Sequence, residues 1–203
     1  MKSVKKRLVI IIITVLIVFC VGVILLENSL RPSVDAASEN AAVNLLRSNA
    51  AKCAQYCAQN GFLDSGLLLN ERRSPEGKLE GIELNAAAAN LLKACFAQKF
   101  EELLNQRETM TAYFPLGNAT GFLLFSSAGP MIKVGVFCHR SFECTLVSDL
   151  KKAGLNQSLY TLNLRVEANV EISVGGRRRS VEFIEELPVC QRLSLGELNW
   201  NSI

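Results

Sequence analysis

Strict alternation of apolar and polar residues between Tyr160 and Val174 is the feature that most restricts the fold of this chain. Every second residue in the stretch is apolar, and every residue between them is polar or charged. Successive side chains of a strand point to opposite faces, so this period places one face on a core and the other in water, as in an antiparallel sheet. The run is longer than most strands, so we expect it to bend or to pair with two neighbours.

Two glycines, Gly175 and Gly176, follow the alternating run and can form a two-residue turn that tolerates positive φ. The chain from Arg177 to Val189 then returns as a second strand. A turn at the glycines sets the register of this hairpin. It places the following residues opposite each other: Val170 and Val181, and Ala168 and Phe183.

The amino terminus carries a segment of membrane-spanning length. Residues 8–26 contain no charge and no proline, and a basic flank precedes them. A cleaved signal peptide has a shorter apolar region and a small-residue cleavage site, which this chain lacks. We therefore expect a cytoplasmic tail at residues 1–7, an uncleaved anchor at residues 8–27 and an extracytoplasmic domain at residues 28–203.

The net charge of the domain is close to zero. The whole chain has 22 basic and 19 acidic residues, and four of the basic ones precede the anchor, which leaves 18 against 19. A nucleic-acid-binding surface normally needs a basic face. We therefore expect the membrane bilayer, and not nucleic acid, as a partner.

Two helices are predicted between the anchor and the strands. Arg31-Pro32 should interrupt the helix that continues from the anchor. Ser33 or Asp35 can then cap a new helix, which should run to Gln59. We expect its buried face to contain Val34, Ala37, Ala41, Leu45, Ala50, Cys53 and Cys57. A hairpin follows at residues 67–84, and Asn85 should cap a second helix over residues 86–106, with Leu91 and Leu104 widening its apolar face.

Further strands are predicted at residues 113–117, 131–138 and 142–147, with a turn at residues 149–154 before the alternating run. The predicted fold class is thus α+β. One N-terminal transmembrane helix is followed by two helices packed on a mainly antiparallel sheet with a long C-terminal hairpin.

The seven cysteines do not form a metal-binding pattern. Cys53 and Cys57 have no second pair and no nearby histidine, whereas structural zinc sites usually repeat such spacings. We expect no metal and no cofactor. Buried small residues are the simpler interpretation of these thiols, and disulfide connectivity cannot be deduced from the sequence.

The single histidine limits any Cys/His chemistry to one position. His139 follows Cys138 directly, and neighbours on a strand point to opposite faces, so Cys144 or Cys190 would have to supply the nucleophile. No motif of a known catalytic class is present, and we expect no catalytic residue. The run 177–179 of three arginines fits either lipid headgroups or a solvated hairpin tip neutralised by Glu182, Glu185 and Glu186.

Three blocks, in this order and spacing, resemble the YunB family of sporulation proteins. The first joins Pro115-Leu116-Gly117 with Thr120-Gly121 and Ala128-Gly129-Pro130, and the second is residues 153–157. The third runs from Leu187-Pro188-Val189 to Leu195-Gly196. Gln191 and the tail at residues 198–200 depart from the family pattern.

The resemblance implies a membrane-anchored protein of endospore formation, made in the mother cell and without catalytic activity. It also implies unidentified envelope proteins as partners and a place at the outer forespore membrane. Candidate binding residues lie in the family-like loops: Gly117, Gly121, Gly129, Pro130, Asn156 and Gln157.

Two alternatives remain open at this stage. An extracytoplasmic enzyme using Cys138, His139 or Cys144 should have a pocket around His139. A bitopic secretion or pilus-assembly component should instead have an uncovered apolar seam or sheet edge.

Overall fold

The sheet predicted from the alternating run forms the centre of the domain. The structure is a computed structural model that describes residues 2–73, 75, 79–106, 110–121, 124, 126–154 and 157–195. Four strands pair antiparallel in the order β3-β4-β5-β6, and these strands are Thr111–Pro115, Met131–Gly154, Gln157–Val174 and Arg177–Leu195. Strand β5 has β4 on one side and β6 on the other, which is the pairing with two neighbours expected from its length.

The predicted faces and register of the hairpin are confirmed. All even positions of β5 from Ser158 to Ile172 are buried, whereas its odd positions are partly or fully exposed. Val170 lies opposite Val181 and Ala168 opposite Phe183. The turn is at Gly175 and Gly176, whose φ angles are 57° and 82°. A shift of one residue would move the whole apolar set to the solvent face, so burial enforces this register.

Strand β4 is longer than the sequence indicated. It pairs with β5 from Gly135 to Gly154, with an irregularity between Cys138 and Phe142. The predicted turn at residues 149–154 is therefore wrong, because these residues continue the ladder: Asp149 lies opposite Thr161 and Lys151 opposite Leu159. Charged residues are common on an edge strand, where one side of the backbone faces solvent, and so they resemble a loop in the sequence.

Helix α1, Lys2–Gln59, runs without a break from the apolar segment into the domain. The predicted interruption at Arg31-Pro32 is wrong, because Pro32 lies inside the helix. Proline removes one hydrogen bond, here the bond to the carbonyl of residue 28, and the tertiary packing of the turns after it outweighs that local cost. The helix ends as predicted before Asn60-Gly61, where Gly61 has a φ of 78°.

The buried face of α1 is offset from the predicted one. Its fully buried residues are Ser38, Ala42, Leu46, Asn49, Ala50, Cys53 and Cys57. Val34, Ala37, Ala41 and Leu45 are only partly buried beside this line. Ser38 and Asn49 lie on the buried face although they are polar. A search for apolar residues alone therefore selects the residues beside this face.

Three short elements, one helix and two strands, follow α1 in the chain. After the short helix α2, Ser65–Leu68, the strands β1, Leu69–Arg73, and β2, Leu79–Leu84, form the predicted hairpin. Glu71 of β1 accepts hydrogen bonds from Arg192 of β6 and from Arg73, and these bonds lower the pKa of its carboxyl group. The hairpin is therefore tied to the far half of β6.

Helix α3, Ala86–Asn105, packs against both α1 and β4. Its N-cap is Asn85, as predicted, whose side chain accepts from the backbone N–H groups of Ala87 and Ala88 at 3.2 and 3.3 Å. The ring of Phe100 lies 5.4 Å from that of Phe142 in an edge-on arrangement, which joins α3 to β4. Leu91 does not widen the apolar face, since it is 60% exposed.

The face assignment of β5 makes a stability prediction with a neighbouring control. Val166 is fully buried, so Val166→Asp would bury an unpaired charge and should destabilise the domain by about 3 kcal/mol or more. Glu167→Lys loses only the exposed ion pair with Arg165 and should cost about 0.5 kcal/mol or less. Thermal unfolding of the two purified full-length variants measures the difference, and equal melting temperatures would contradict the assignment.

Candidate functional site: the loop end of the sheet

Four of the six candidate binding residues lie together in the connection between β3 and β4. The 3₁₀ helix Leu116–Thr120 begins this connection. The backbone N–H of Leu116 donates to the carbonyl of Pro130 at 3.0 Å, and the N–H of Gly117 donates to that of Ala128 at 2.9 Å. The Thr120 hydroxyl donates to the Gly117 carbonyl at 2.7 Å. The first family-like block is therefore one hydrogen-bonded unit.

Glycine is required at two of these positions. Gly121 and Gly129 have φ angles of 73° and 94°, in the region that side chains rarely adopt. A Cβ atom on Gly129 would lie 3.4 Å from the Cβ atom of Leu116. The Gly129-Pro130 step thus brings two backbone segments close together at the start of β4.

The register of the sheet places this unit at the same end as the β5–β6 turn. Gly135 of β4 lies opposite Ser173, next to the end of β5, and Met131 lies opposite Pro115. Strands β3 and β4 therefore continue past the end of β5 by about three residues, or roughly 10 Å. We call this end, formed by residues 116–121, 124, 126–130 and the Gly175-Gly176 turn, the loop end of the sheet.

Helix α1 enters the domain beside the loop end. Arg177, the first residue of β6, approaches Glu27 at 3.4 Å, and Glu27 is the first charged residue after the apolar segment. Further along both elements, Arg179 pairs with Glu39 at 3.7 Å and Glu185 pairs with Arg47 at 3.0 Å. The order of these pairs shows that the first half of β6 runs parallel to α1, away from the apolar segment.

The arginines at the β5–β6 turn are neutralised, but by other residues than the sequence indicated. Arg177 and Arg179 pair with Glu27 and Glu39 of α1, and Arg178 pairs with Glu171 of β5 at 3.3 Å. All three arginine side chains remain more than half exposed. Exposed ion pairs of this kind contribute little to the stability of the domain. They indicate which face of α1 the turn lies against.

Two exposed apolar side chains accompany these charges. Leu124, between the 3₁₀ helix and β4, is 93% exposed, and Met131 is 68% exposed. The sequence reasoning did not select them. No local pattern would have found Leu124 and Met131, because only the strand register shows that they lie at the same end of the sheet as the arginines.

The second family-like block lies at the opposite end of the sheet. Gln157 is the first residue of β5, which places it about 56 Å from Val174 along the strand. Asn156 lies outside the described residues. The sheet therefore brings Gly117, Gly121, Gly129 and Pro130 together and keeps Gln157 apart from them.

The candidate nucleophiles do not converge on one site. Cys144 lies opposite Val166 and Cys190 opposite Leu162, on the two strands that flank β5, so about 16 Å separates them. Burial raises the pKa of Cys144 to about 11 and also raises that of Cys190. Both thiols are thus protonated near neutral pH and are poor nucleophiles. The side chains of Cys138 and His139 lie outside the described part of the chain.

Comparisons with known proteins identify a family that matches the sheet-forming part of the chain. The model of the family described as Sporulation protein YunB (Spo_YunB) matches residues 111–198. The curated Sporulation protein YunB of Bacillus subtilis (strain 168) is 24% identical over 132 residues. This region belongs to the YunB family. The resemblance found in the sequence is thereby confirmed.

The extent of the matches shows which part of the fold they concern. The alignment with the curated relative covers 60% of this chain and 52% of the relative, so the chain matches about half the length of that protein. No solved structure matches the chain. The YunB region begins at the first residue of β3 and ends after β6, so it comprises the four-stranded sheet and its loop end.

The tight loop end makes a prediction about Gly129. Gly129→Ala forces a side chain into a left-handed conformation beside Leu116 and should destabilise the domain by about 1–2 kcal/mol. Gly81→Ala is the matched control, because Gly81 has open space around it and is not among the positive-φ glycines. Chemical unfolding of both full-length variants measures the difference. A Gly129→Ala protein as stable as the control would show that the loop conformation is not required.

Proposed function

We propose that this chain supports endospore formation as a membrane-tethered, non-catalytic component of the forespore envelope. In this proposal residues 1–7 are cytoplasmic, residues 8–27 cross the outer forespore membrane from the mother-cell side, and residues 28–203 lie outside the cytoplasm. A role in sporulation is what YunB-family membership supports. Tethering, orientation and the absence of catalysis are our proposal.

One structural observation carries the tethering. Helix α1 is long and apolar enough to cross a membrane, and its most apolar stretch, with a mean hydropathy of 2.4, is not covered by the rest of the described chain. The same unbroken helix then supplies the buried face formed by Ala42, Leu46 and Ala50. The span and the core of the domain thus share one rigid element. The basic residues before the span favour a cytoplasmic amino terminus.

The same geometry supports a fixed orientation of the domain on the membrane. Glu27 marks the end of the apolar segment, and Arg177 and the loop end lie beside it. The loop end would therefore face the headgroups, with the exposed apolar chains of Leu124 and Met131 at the interfacial region and the arginines near phosphates. The opposite end of the sheet, with Gln157, would point away from the bilayer.

An open sheet edge supports binding of another polypeptide at the domain. Within the described residues, β4 has no strand on its outer side beyond Gly135, because β3 pairs only with Met131–Gly135. Its backbone from Phe142 to Ser148 is thus available to an added strand, a common mode of peptide recognition. Asp149, Lys151 and Lys152 follow it, and charges of this kind limit indiscriminate pairing.

The alternative functions make different demands on the structure. A secretion or pilus-assembly component would use the same open edge, so location in the sporulating cell distinguishes it from our proposal. An extracytoplasmic enzyme needs a reactive group, and the high pKa values of Cys144 and Cys190 favour a binding protein.

Replacing the tether tests the function. A null strain should be complemented with a chain whose residues 1–27 are exchanged for a cleavable secretion signal, which exports the domain without an anchor. We expect loss of heat-resistant spores, because an anchored domain reaches its partner at a much higher local concentration. The matched control carries an unrelated single-pass span of the same orientation and should sporulate normally.

Substitution of the candidate nucleophiles completes this test. Cys138→Ala, Cys144→Ala and His139→Ala should leave spore counts near normal wherever the protein still accumulates in the membrane. A folded His139→Ala protein that fails, together with a free domain that works, would overturn the proposal in favour of the enzyme.

The orientation is tested by depth measurements on the full chain in lipid nanodiscs. Arg178 and Lys151 are matched sites, because each is 73% exposed and pairs with one acidic side chain on the sheet, yet strand register separates them by about 46 Å. A fluorescent amino acid at position 178 should be quenched by lipids with a headgroup nitroxide, and the same group at position 151 should not. Equal quenching at the two sites would exclude the proposed orientation.

A further inference from the structure

Two cysteines from different helices are in contact beneath a surface groove. The sulfur of Cys57 on α1 lies 3.2 Å from the sulfur of Cys95 on α3, and 38 residues separate them in sequence. A disulfide bond is about 2.05 Å long, so the sulfurs need to approach by only about 1.1 Å. We propose that Cys57 and Cys95 form a disulfide that joins α1 to α3 when the domain faces an oxidising compartment. That the domain faces an oxidising compartment rests on the exported topology proposed above. The contact between the two sulfurs does not depend on that topology.

Cys53, another thiol near Cys57, is a poorer partner. Cys53 is fully buried one turn before Cys57, and two cysteines one turn apart on a regular helix seldom have bridging geometry. Metal binding does not explain the group either. Among the residues that the structure describes, no three His, Cys, Asp or Glu side chains are arranged to hold a metal ion. The contact between the helices therefore points to Cys57 and Cys95 as the pair.

Access from solvent differs between the two sulfurs. Cys95 lines an open groove of about 440 Å³ between α1 and α3, together with Tyr56, Leu91 and Lys99. Cys57 is fully buried, and burial raises the pKa of its thiol far above the usual range. An external reagent therefore meets Cys95 first, and Cys57 acts as the resolving thiol.

The reaction requires a disulfide as oxidant, either of a thiol–disulfide oxidoreductase or of a low-molecular-weight thiol. The Cys95 thiol loses its proton to water, and the thiolate attacks one sulfur of the reagent, which releases the other sulfur as a thiolate. Cys57 then transfers its proton to that thiolate and attacks the Cys95 sulfur, which releases the second reagent sulfur as a thiolate that takes up the proton from water. Two protein thiols are oxidised to one disulfide, and the reagent disulfide is reduced to two thiols.

The bond would fasten the span-bearing helix to the core. Cys57 lies near the end of α1, and Cys95 is flanked on α3 by Phe96, which is buried in the core. Closing a loop of this length restricts the unfolded chain, so the melting temperature of the oxidised domain should exceed that of the reduced domain by about 10 °C.

Peptide mapping tests the pairing. The full chain, purified in detergent, is exposed to oxidised glutathione, and its free thiols are blocked with N-ethylmaleimide before trypsin digestion. Residues 94–99 and 53–72 should be recovered as one disulfide-linked species. Fragmentation of this species assigns the link to Cys57, and reduction should remove the thermal shift.

Three single variants provide the controls. Cys57→Ser and Cys95→Ser should each abolish the linked species and the thermal shift, whereas Cys53→Ser should retain both. A folded wild-type protein in which Cys57 and Cys95 are both alkylated after oxidation would overturn the proposal, and so would a link between Cys53 and Cys95.

The same mapping on membranes from sporulating cells separates this proposal from the proposed topology. A link in purified protein and in cells supports both. A link that forms in purified protein but is absent from those membranes supports the pairing and counts against export of the domain.

Discussion

Burial of the even face of β5 is the interaction on which the rest of the structure depends. Seven consecutive even positions, from Tyr160 to Ile172, are buried, and β4 and β6 pair with β5 on either side. Each buried aliphatic side chain contributes on the order of 1.5–3 kcal/mol, so a change of register is prohibitive. The register in turn fixes where β4 begins, at Met131, and hence where the loop end lies.

Helix α1 joins the apolar segment to this sheet. It contacts every strand of the four-stranded sheet and also α3, so its second half is an integral part of the core. Because the apolar segment and the core residues belong to one unbroken helix, the segment cannot rotate independently of the sheet. The ion pairs from Glu27 to Arg47 are weak individually, but they lie in order along a rigid helix and a rigid strand. Orientation of the domain thus follows from backbone continuity more than from surface charge.

Local patterns in the sequence predicted most of the elements, but neither the full length of α1 and β4 nor the contacts between elements. Alternation and the two glycines predicted β5, its turn and the pairing of Ala168 with Phe183, because each depends on neighbours in the chain. Asn85 was predicted as a cap for the same reason. By contrast, continuity through Pro32 depends on the packing of later turns of the helix, and no local rule includes that packing.

The parts of the candidate site that sequence reasoning missed are all long-range. Gly117, Gly121, Gly129 and Pro130 were selected by resemblance, but their position at the same end of the sheet as the β5–β6 turn requires the register of the strand pairs. The contact of Cys57 with Cys95 requires the packing of α1 against α3, because the two cysteines are 38 positions apart in the sequence. Ser38 and Asn49 were missed on the buried face of α1 because polar residues do not mark a core by composition.

The length of the strands divides the YunB region into two separate ends. About 56 Å of extended chain lies between Gln157 and Val174, so one small ligand cannot contact the first and the second family-like blocks together. The glycine-rich block lies at the same end of the sheet as Arg177, which approaches Glu27, and the second block lies at the far end. The edge of β4 from Phe142 to Ser148, which pairs with no strand on its outer side within the described residues, lies between them. Under the tethering that we propose, a sheet of this length would connect a membrane surface to a partner distant from it.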